Sequence, residues 1–259
     1  MAEQKKKTDE HASIEYREWE KAQEWEKSYW DRFVKRQDGI LNLGLLKKYV
    51  KRIFHGKSEE RSNYWWQEKF DQYRFLPRQL DNVIEFGCGP FTNLRLIIDG
   101  IDCKHVVASD PLAKHYVTYR GHYLANKYKT RQWLIDDHAM EDDFYADNVF
   151  DLAVCINVLE HVRDWEACMR NFLRVIKPGG IAIFGQELTS DEIVESTKVI
   201  REETGTDIGH PHKFDTCEMM RVFFKDFDPI IDKECPREEV RLQKWNSGAW
   251  VYAGRKRGA

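Results

Sequence analysis

Asn82 to Ile97 read NVIEFGCGPFTNLRLI: an apolar run, an acid, two glycines one residue apart, then apolar residues at helical spacing. Val83 to Phe86 have the pattern of a buried strand that ends in a glycine turn and passes into a helix. Gly87 and Gly89 allow positive φ and let a ligand come close to a backbone that has no Cβ. A dinucleotide fingerprint would place a third glycine at the helix opening and a pyrophosphate on the helix start. This chain has Phe91 there, and Glu85 puts negative charge where a phosphate turn avoids it. The stretch therefore predicts a cofactor with a cationic portion rather than a pyrophosphate.

The same pattern continues outward. After Asp81 the strand-like runs NVIEF, HVVAS, RQWLI, FDLAVC and GIAIFG alternate with helical stretches, which predicts crossover units and a parallel sheet with helices on both faces. FKDFDPIID and GAWVYAGRK are strand-like with no helical pattern between them, so they predict an antiparallel pair added to the parallel body. Asp110 closes the second strand, where an acid can accept both hydroxyls of an adenosine ribose. Asp136, Asp137 and His138 close the third, where a carboxylate can accept from an adenine amino group. Any one of these acids alone reads as a loop residue or helix cap; their placement after successive strands gives them weight together.

Before Asp81 the chain reads as helix. IEYREWEKAQEWEKSYWDRFVKR lacks glycine and proline, and Trp25, Tyr29 and Phe33 recur at four-residue steps on one face. Residues 1–80 are predicted to form a helical cap or lid, and 81–259 the main domain. Lys47 to Lys57, KKYVKRIFHGK, is basic with interleaved aromatics and reads as an amphipathic helix with a solvated face.

With 259 residues the chain can bury a full core without staples. Its six cysteines, Cys88, Cys103, Cys155, Cys168, Cys217 and Cys235, contain no C-x-x-C pair, so no zinc ribbon or disulfide framework is indicated and a reducing compartment, the cytoplasm, is expected. No apolar leader or eighteen-residue apolar run argues for export or a membrane span. A formal net charge of -3 gives no general reason to expect nucleic acid.

The ordered set VIEFGCGPF, ASD, LIDDHAMEDD, NVFDLAVCINVLEHV and VIKPGGIAIFGQE resembles the class I S-adenosylmethionine-dependent methyltransferases, most closely the small-molecule branch that includes quinone and sugar methyltransferases. The resemblance covers roughly Asp81 to Gly254. It implies an α/β fold: a Rossmann-like, seven-stranded, mostly parallel sheet with an antiparallel last strand. It implies S-adenosylmethionine as cofactor, with Glu85, Gly87, Cys88 and Gly89 beside the methionine part and Asp110, Pro111 and Leu112 at the ribose. Asp137 and His138 would lie at the adenine, and Asn157, Val158 and Leu159 near the methyl. Many members carry a third glycine where Phe91 stands.

Methyl transfer from a sulfonium is an in-line displacement, so the protein aligns the partners and, for an oxygen acceptor, removes a proton. The candidate bases are His161, Glu187, His210 and His212. His161 has the alternative of bracing a helix, and His210 with His212 the alternatives of loop surface or a two-ligand metal fragment lacking a third ligand; no metal is expected. The INVLEH run stands where amino-methylases of nucleic acids carry an Asn/Asp-Pro-Pro-aromatic motif, which disfavours bases in DNA or RNA. Tyr64, Trp65 and Trp66 are the candidate apolar wall of a lid over the acceptor, with a structural layer or a homodimer contact as the alternative use of that segment. The expected reaction is methylation of a hydroxyl oxygen on a small molecule or glycan precursor. A small-amine N-methyltransferase is the nearest alternative, followed by a nicotinamide-dependent reductase and a non-catalytic cofactor-binding module.

Overall fold

The computed structural model describes residues 14–41, 58–119, 123–127, 132–240 and 242–258. The basic stretch at Lys47 to Lys57 lies outside them. Helix α1 (Tyr16–Leu41) follows the predicted period: Trp25 and Tyr29 stack with ring centroids 5.6 Å apart. Helix α2 (Ser58–Lys69) buries Trp66 and delivers Phe70 into the core.

Strands β1 (Gln79–Phe86), β2 (Asp102–Ser109), β3 (Trp133–Asp136), β4 (Phe150–Ile156) and β5 (Ile176–Leu188) pair in parallel. β7 (Gly248–Lys256) runs antiparallel to β5 and to β6 (Phe227–Pro236). The sheet order is β3-β2-β1-β4-β5-β7-β6, so the predicted seven-stranded sheet with its late antiparallel strand is the observed one. The connections differ from expectation in size. Helices α3 (Leu94–Ile97), α4 (Ala113–Tyr116) and α5 (Tyr123–Lys127) are single turns, while α6 (Trp165–Arg174) is full length and capped by Asp164, whose side chain accepts from Ala167 N at 2.9 Å. Beyond β5 come α7 (Asp191–Ser196), α8 (Lys198–Thr204), α9 (Thr206–Gly209) and α10 (Glu218–Arg221).

Alternation along the strands feeds two cores, one on each face of the sheet. Ile84, Phe86, Ala153, Cys155 and Phe184 pack with Phe172 of α6 on one face. Val83, Leu152, Val154 and Ile183 pack with Trp66, Phe70 and Leu94 on the other. Sequential order turns back between β1 and β4, and open sheets of this kind bind ligands beyond the carboxyl ends of the strands at such a reversal. Among the described residues no helix is long and apolar enough to cross a membrane.

Candidate active site

A cavity of about 1180 Å³ opens at that reversal, between the carboxyl ends of β1, β2, β4 and β5 and the inner side of α1. Gly87 and Gly89 both take positive φ, +64° and +53°. Their surroundings differ. A Cβ on Gly87 would stand 2.4 Å from Val158 Cγ2, whereas one on Gly89 would meet nothing within 4 Å. Gly87 thus permits close packing of the turn on the β4 end, and Gly89 leaves backbone open to the cavity.

Glu85 does not reach the cavity wall. It is fully buried beneath the turn, where its carboxylate accepts from Asn93 N (2.9 Å), Asn93 Nδ2 (3.0 Å), Leu94 N (3.3 Å) and the Thr92 hydroxyl. Burial pushes its pKa up to about 7, against the opposing pull of these hydrogen bonds. Its role is to shape the turn rather than to face a cationic ligand. Phe91 accounts for the missing third glycine: its ring sits 5.7 Å from Trp30 and 5.8 Å from Phe33, so the turn carries a plug that receives α1.

Asp110 lines the cavity at the end of β2, accepting from Gly89 N (3.0 Å) and Leu112 N (2.8 Å). Burial raises its pKa to about 6, so it is ionised at neutral pH. Pro111 and His138 are on the wall with it; Leu112 packs into the core instead. At the end of β3 the inward carboxylate is Asp136, which meets His138 Nδ1 at 2.6 Å and accepts from the Tyr145 hydroxyl, while Asp137 turns out to Lys114 Nζ at 2.5 Å. Asn157 (φ 58°) donates its N–H to Gly185 O at 2.7 Å and accepts from Glu187 N at 3.0 Å, joining the ends of β4 and β5. Cys88, Asn157, Val158 and Glu187 line the cavity; Leu159 is buried behind it.

Of the three aromatics expected as a wall, only Trp66 is one. It lies against Gly185, where an added Cβ would come within 2.7 Å of its ring. Tyr64 is exposed beneath Arg95, and Trp65 Nε1 donates to Glu239 O at 3.0 Å on the far strands. Helix α1 supplies the aromatic wall that sequence reasoning missed, with Trp19, Trp25, Tyr29 and Trp30. It also bridges both halves of the site. Asp31 bonds His115 Nε2 (2.9 Å) and the Tyr119 hydroxyl (3.0 Å) after β2, and Trp25 Nε1 donates to Thr204 O (3.0 Å) at the end of α8.

All three candidate histidines reach the wall, in different states. His161 Nδ1 lies 2.8 Å from Gly209 O; burial lowers its pKa, but the carboxylates of Glu26 and Glu160 outweigh burial and the net shift is upward. His210 Nδ1 lies 2.8 Å from Thr206 O, and burial followed by the charge of His161 moves its pKa down. His212 is also moved down by burial, which outweighs the upward pull of the Arg163 and Val162 backbone. Its Nε2 is buried with no hydrogen-bond partner. Glu160, His161 and His210 bring donor atoms within 4.8 Å of one another, as do Asp136, Asp137 and His138. The third ligand absent from the sequence reading is thus present for His210, with His161 and Glu160 rather than His212, and such nitrogen and oxygen donors suit a borderline divalent cation.

Comparison with known proteins follows the geometry. A family model described as a methyltransferase domain matches residues 45–226, beginning well before Asp81. The ubiquinone biosynthesis O-methyltransferase of Vibrio parahaemolyticus is 27% identical over 146 residues, which cover 49% of this chain and 59% of that protein. The chain therefore spans less than two thirds of that relative's length. The putative methyltransferase of Haloferax volcanii, solved in complex with the Trm112 methyltransferase activator, aligns at a TM-score of 0.57 and 15% identity over 78% of this chain and 93% of that one. The N-methyltransferase NodS of Bradyrhizobium japonicum with bound S-adenosyl-L-homocysteine aligns at 0.51 and 14% identity, over 76% of this chain and 86% of that one. These structural likenesses establish the fold.

Proposed function

The chain belongs to the methyltransferase-domain family, with the class I S-adenosylmethionine-dependent fold, and from that premise we propose that it methylates a hydroxyl oxygen of a small molecule. The observation that carries the oxygen assignment is His212, an imidazole among the cavity-lining residues whose pKa burial holds below the ordinary value. An uncharged imidazole there can take the proton that an acceptor hydroxyl gives up. The oxygen specificity carried in the name of the Vibrio relative agrees with this.

The cavity fits the cofactor. Gly87 lets the turn pack closely on the β4 end, Gly89 leaves the turn open, and the Asp110 carboxylate stands where ribose hydroxyls can donate. His138, held by Asp136, would meet the adenine end, and Asn157 with Val158 the end near the reacting centre. When bound, S-adenosylmethionine supplies an electrophilic methyl on a sulfonium sulfur. The chain's residues do the rest. Helix α1 and Trp66 exclude water, the β4 and β5 ends orient the acceptor, and His212 takes its proton. Helix α1 then forms a cap that serves both halves of the site.

An amine acceptor is the second reading, favoured by the carboxylates of Glu26, Glu160 and Glu187 on the same wall. Rate against pH separates the two. Because the His212 pKa is lowered, the imidazole is the free base above about pH 6.5, so O-methylation should rise with pH below that value and then level off. An amine must shed its own proton and would keep gaining rate toward the pKa of an alkylammonium. His212→Gln should lower the chemical step roughly a hundredfold with S-adenosylhomocysteine affinity intact. A labelled-methyl screen in which the variant keeps full rate would remove His212 from the mechanism.

A further inference from the structure

Thr92, just beyond the glycine turn, holds a φ of +27°, where a β-branched residue is an outlier that persists only if its surroundings enforce it. Part of that enforcement comes from beneath. The Thr92 hydroxyl donates to Glu85, Leu94 N donates to the Thr92 hydroxyl at 3.2 Å, and Thr92 N donates to Cys88 O at 3.0 Å. The rest comes from α3 and from α2, which precedes Asp81 and so every motif of the cofactor resemblance. Asn63 Nδ2 of α2 donates to Phe91 O at 3.3 Å and to Thr92 O at 3.2 Å, and Arg95 Nε of α3 donates to Phe91 O at 3.1 Å. Asn63 and Thr92 are both buried, so loss of the amide would leave the Thr92 carbonyl unpaired away from solvent.

The same turn feeds the site on its other side. Cys88, bonded to Thr92, donates its own N–H to Ser109 O at 3.1 Å, and Gly89 N donates to the Asp110 carboxylate at 3.0 Å. A turn that relaxes at Thr92 therefore shifts the strand ends and the carboxylate that receives ribose hydroxyls. A preformed site loses less free energy to ordering when it binds, so this geometry sets affinity. We propose that Asn63 is a positioning residue for the cofactor: by donating to the Phe91 and Thr92 carbonyls it holds Thr92 in its left-handed conformation and keeps the turn and Asp110 in the binding geometry. The inference rests on the reading of this cavity as the S-adenosylmethionine site, and it gives α2 a task on the cofactor side.

The test uses full-length wild type, Asn63→Ala, Thr92→Gly and the double variant, each titrated calorimetrically with S-adenosylhomocysteine well below its unfolding midpoint, with urea unfolding run alongside. Asn63→Ala should weaken binding about tenfold, the scale of one to two neutral hydrogen bonds. Glycine takes positive φ freely, so in the Thr92→Gly background the same change should weaken binding by less than about threefold. A residue that only braced the fold would lower the urea midpoint and leave the affinity of the folded protein as it was. Where Asn63→Ala does not fold, Asn63→Leu, close in volume, carries the same comparison. Wild-type binding that Asn63→Ala leaves within about twofold, or an equal loss in both backgrounds, would overturn the proposal alone. Failure of wild type to bind S-adenosylhomocysteine would overturn the cofactor reading and the proposal with it.

Discussion

Gly87→Ala is the sharpest probe of the turn, because its cost has two parts that can be measured apart. The first is backbone strain. Gly87 holds φ +64°, a region that costs an L side chain about 1–2 kcal/mol. The second is overlap: the new Cβ would lie 2.4 Å and 2.7 Å from the two Val158 methyls. Val158 cannot easily yield, since it is buried and β-branched and follows Asn157, which is pinned to Gly185. Overpacking of this kind adds about 1–3 kcal/mol, so the variant should lose about 2–5 kcal/mol. Val158→Ala alone should lose about 1–2 kcal/mol for two buried methyls. In the double variant most of the overlap is gone, leaving a tight 3.1 Å approach to the remaining Val158 Cβ. The double variant should therefore be more stable than the sum of the singles predicts, by about 1–3 kcal/mol. Equilibrium urea unfolding of the four proteins, with m values compared, gives the coupling. Additivity within about 0.5 kcal/mol would refute the claim that Gly87 exists for close packing on the β4 end and leave only its φ to explain it.

Two further outcomes follow from the same geometry. With its pKa raised to about 6 by burial, Asp110 should bind ribose hydroxyls well only when ionised, so S-adenosylhomocysteine affinity should climb between pH 5 and 7, and Asp110→Asn should weaken it tenfold or more and flatten that slope; calorimetry across pH checks both. Trp66→Ala should cost about 3–5 kcal/mol of stability as a large buried ring is lost from against Gly185, whereas Trp65→Ala, a half-buried ring set edge-on to Trp66 with its Nε1 on Glu239, should cost less, about 1–2 kcal/mol; denaturant melts that show equal losses would reverse the corrected orientation of α2.

What could be read in advance, and what could not, follows from the range of the signals. Strands and turn were legible because burial on both faces leaves continuous apolar runs and because positive φ selects glycine, both local facts. Asp110 was legible for the same reason, being fixed to the end of a strand. The errors at Glu85 and Asp137 were avoidable by alternation. Glu85 shares a face with Val83 rather than with Ile84 and Phe86, which sends it under the turn, and only one of Asp136 and Asp137 can point inward. Helical rotation likewise forbids Tyr64, Trp65 and Trp66 from sharing one wall. Asn63 carried no such local signal. It meets Thr92 through a contact between α2 and the turn, and only the folded chain reveals the carbonyls it serves.

The opposed shifts of His161 and His210 trace in part to a carboxylate that α1 brings to the cavity wall. The two rings stand 4.6 Å apart, too close for both to carry charge at little cost. Glu26 of α1 approaches His161 Nδ1 to 3.8 Å and Glu160 approaches Nε2 to 3.7 Å, which favours a proton on His161, while burial and the charge of His161 disfavour one on His210. Glu160 is in turn held by Gln186 Nε2. Asp110 adds a weaker pull on His161 from the cofactor side. Seating α1 over the cavity thus does more than exclude water. It brings in a carboxylate that favours the proton on His161 over the adjacent His210 imidazole.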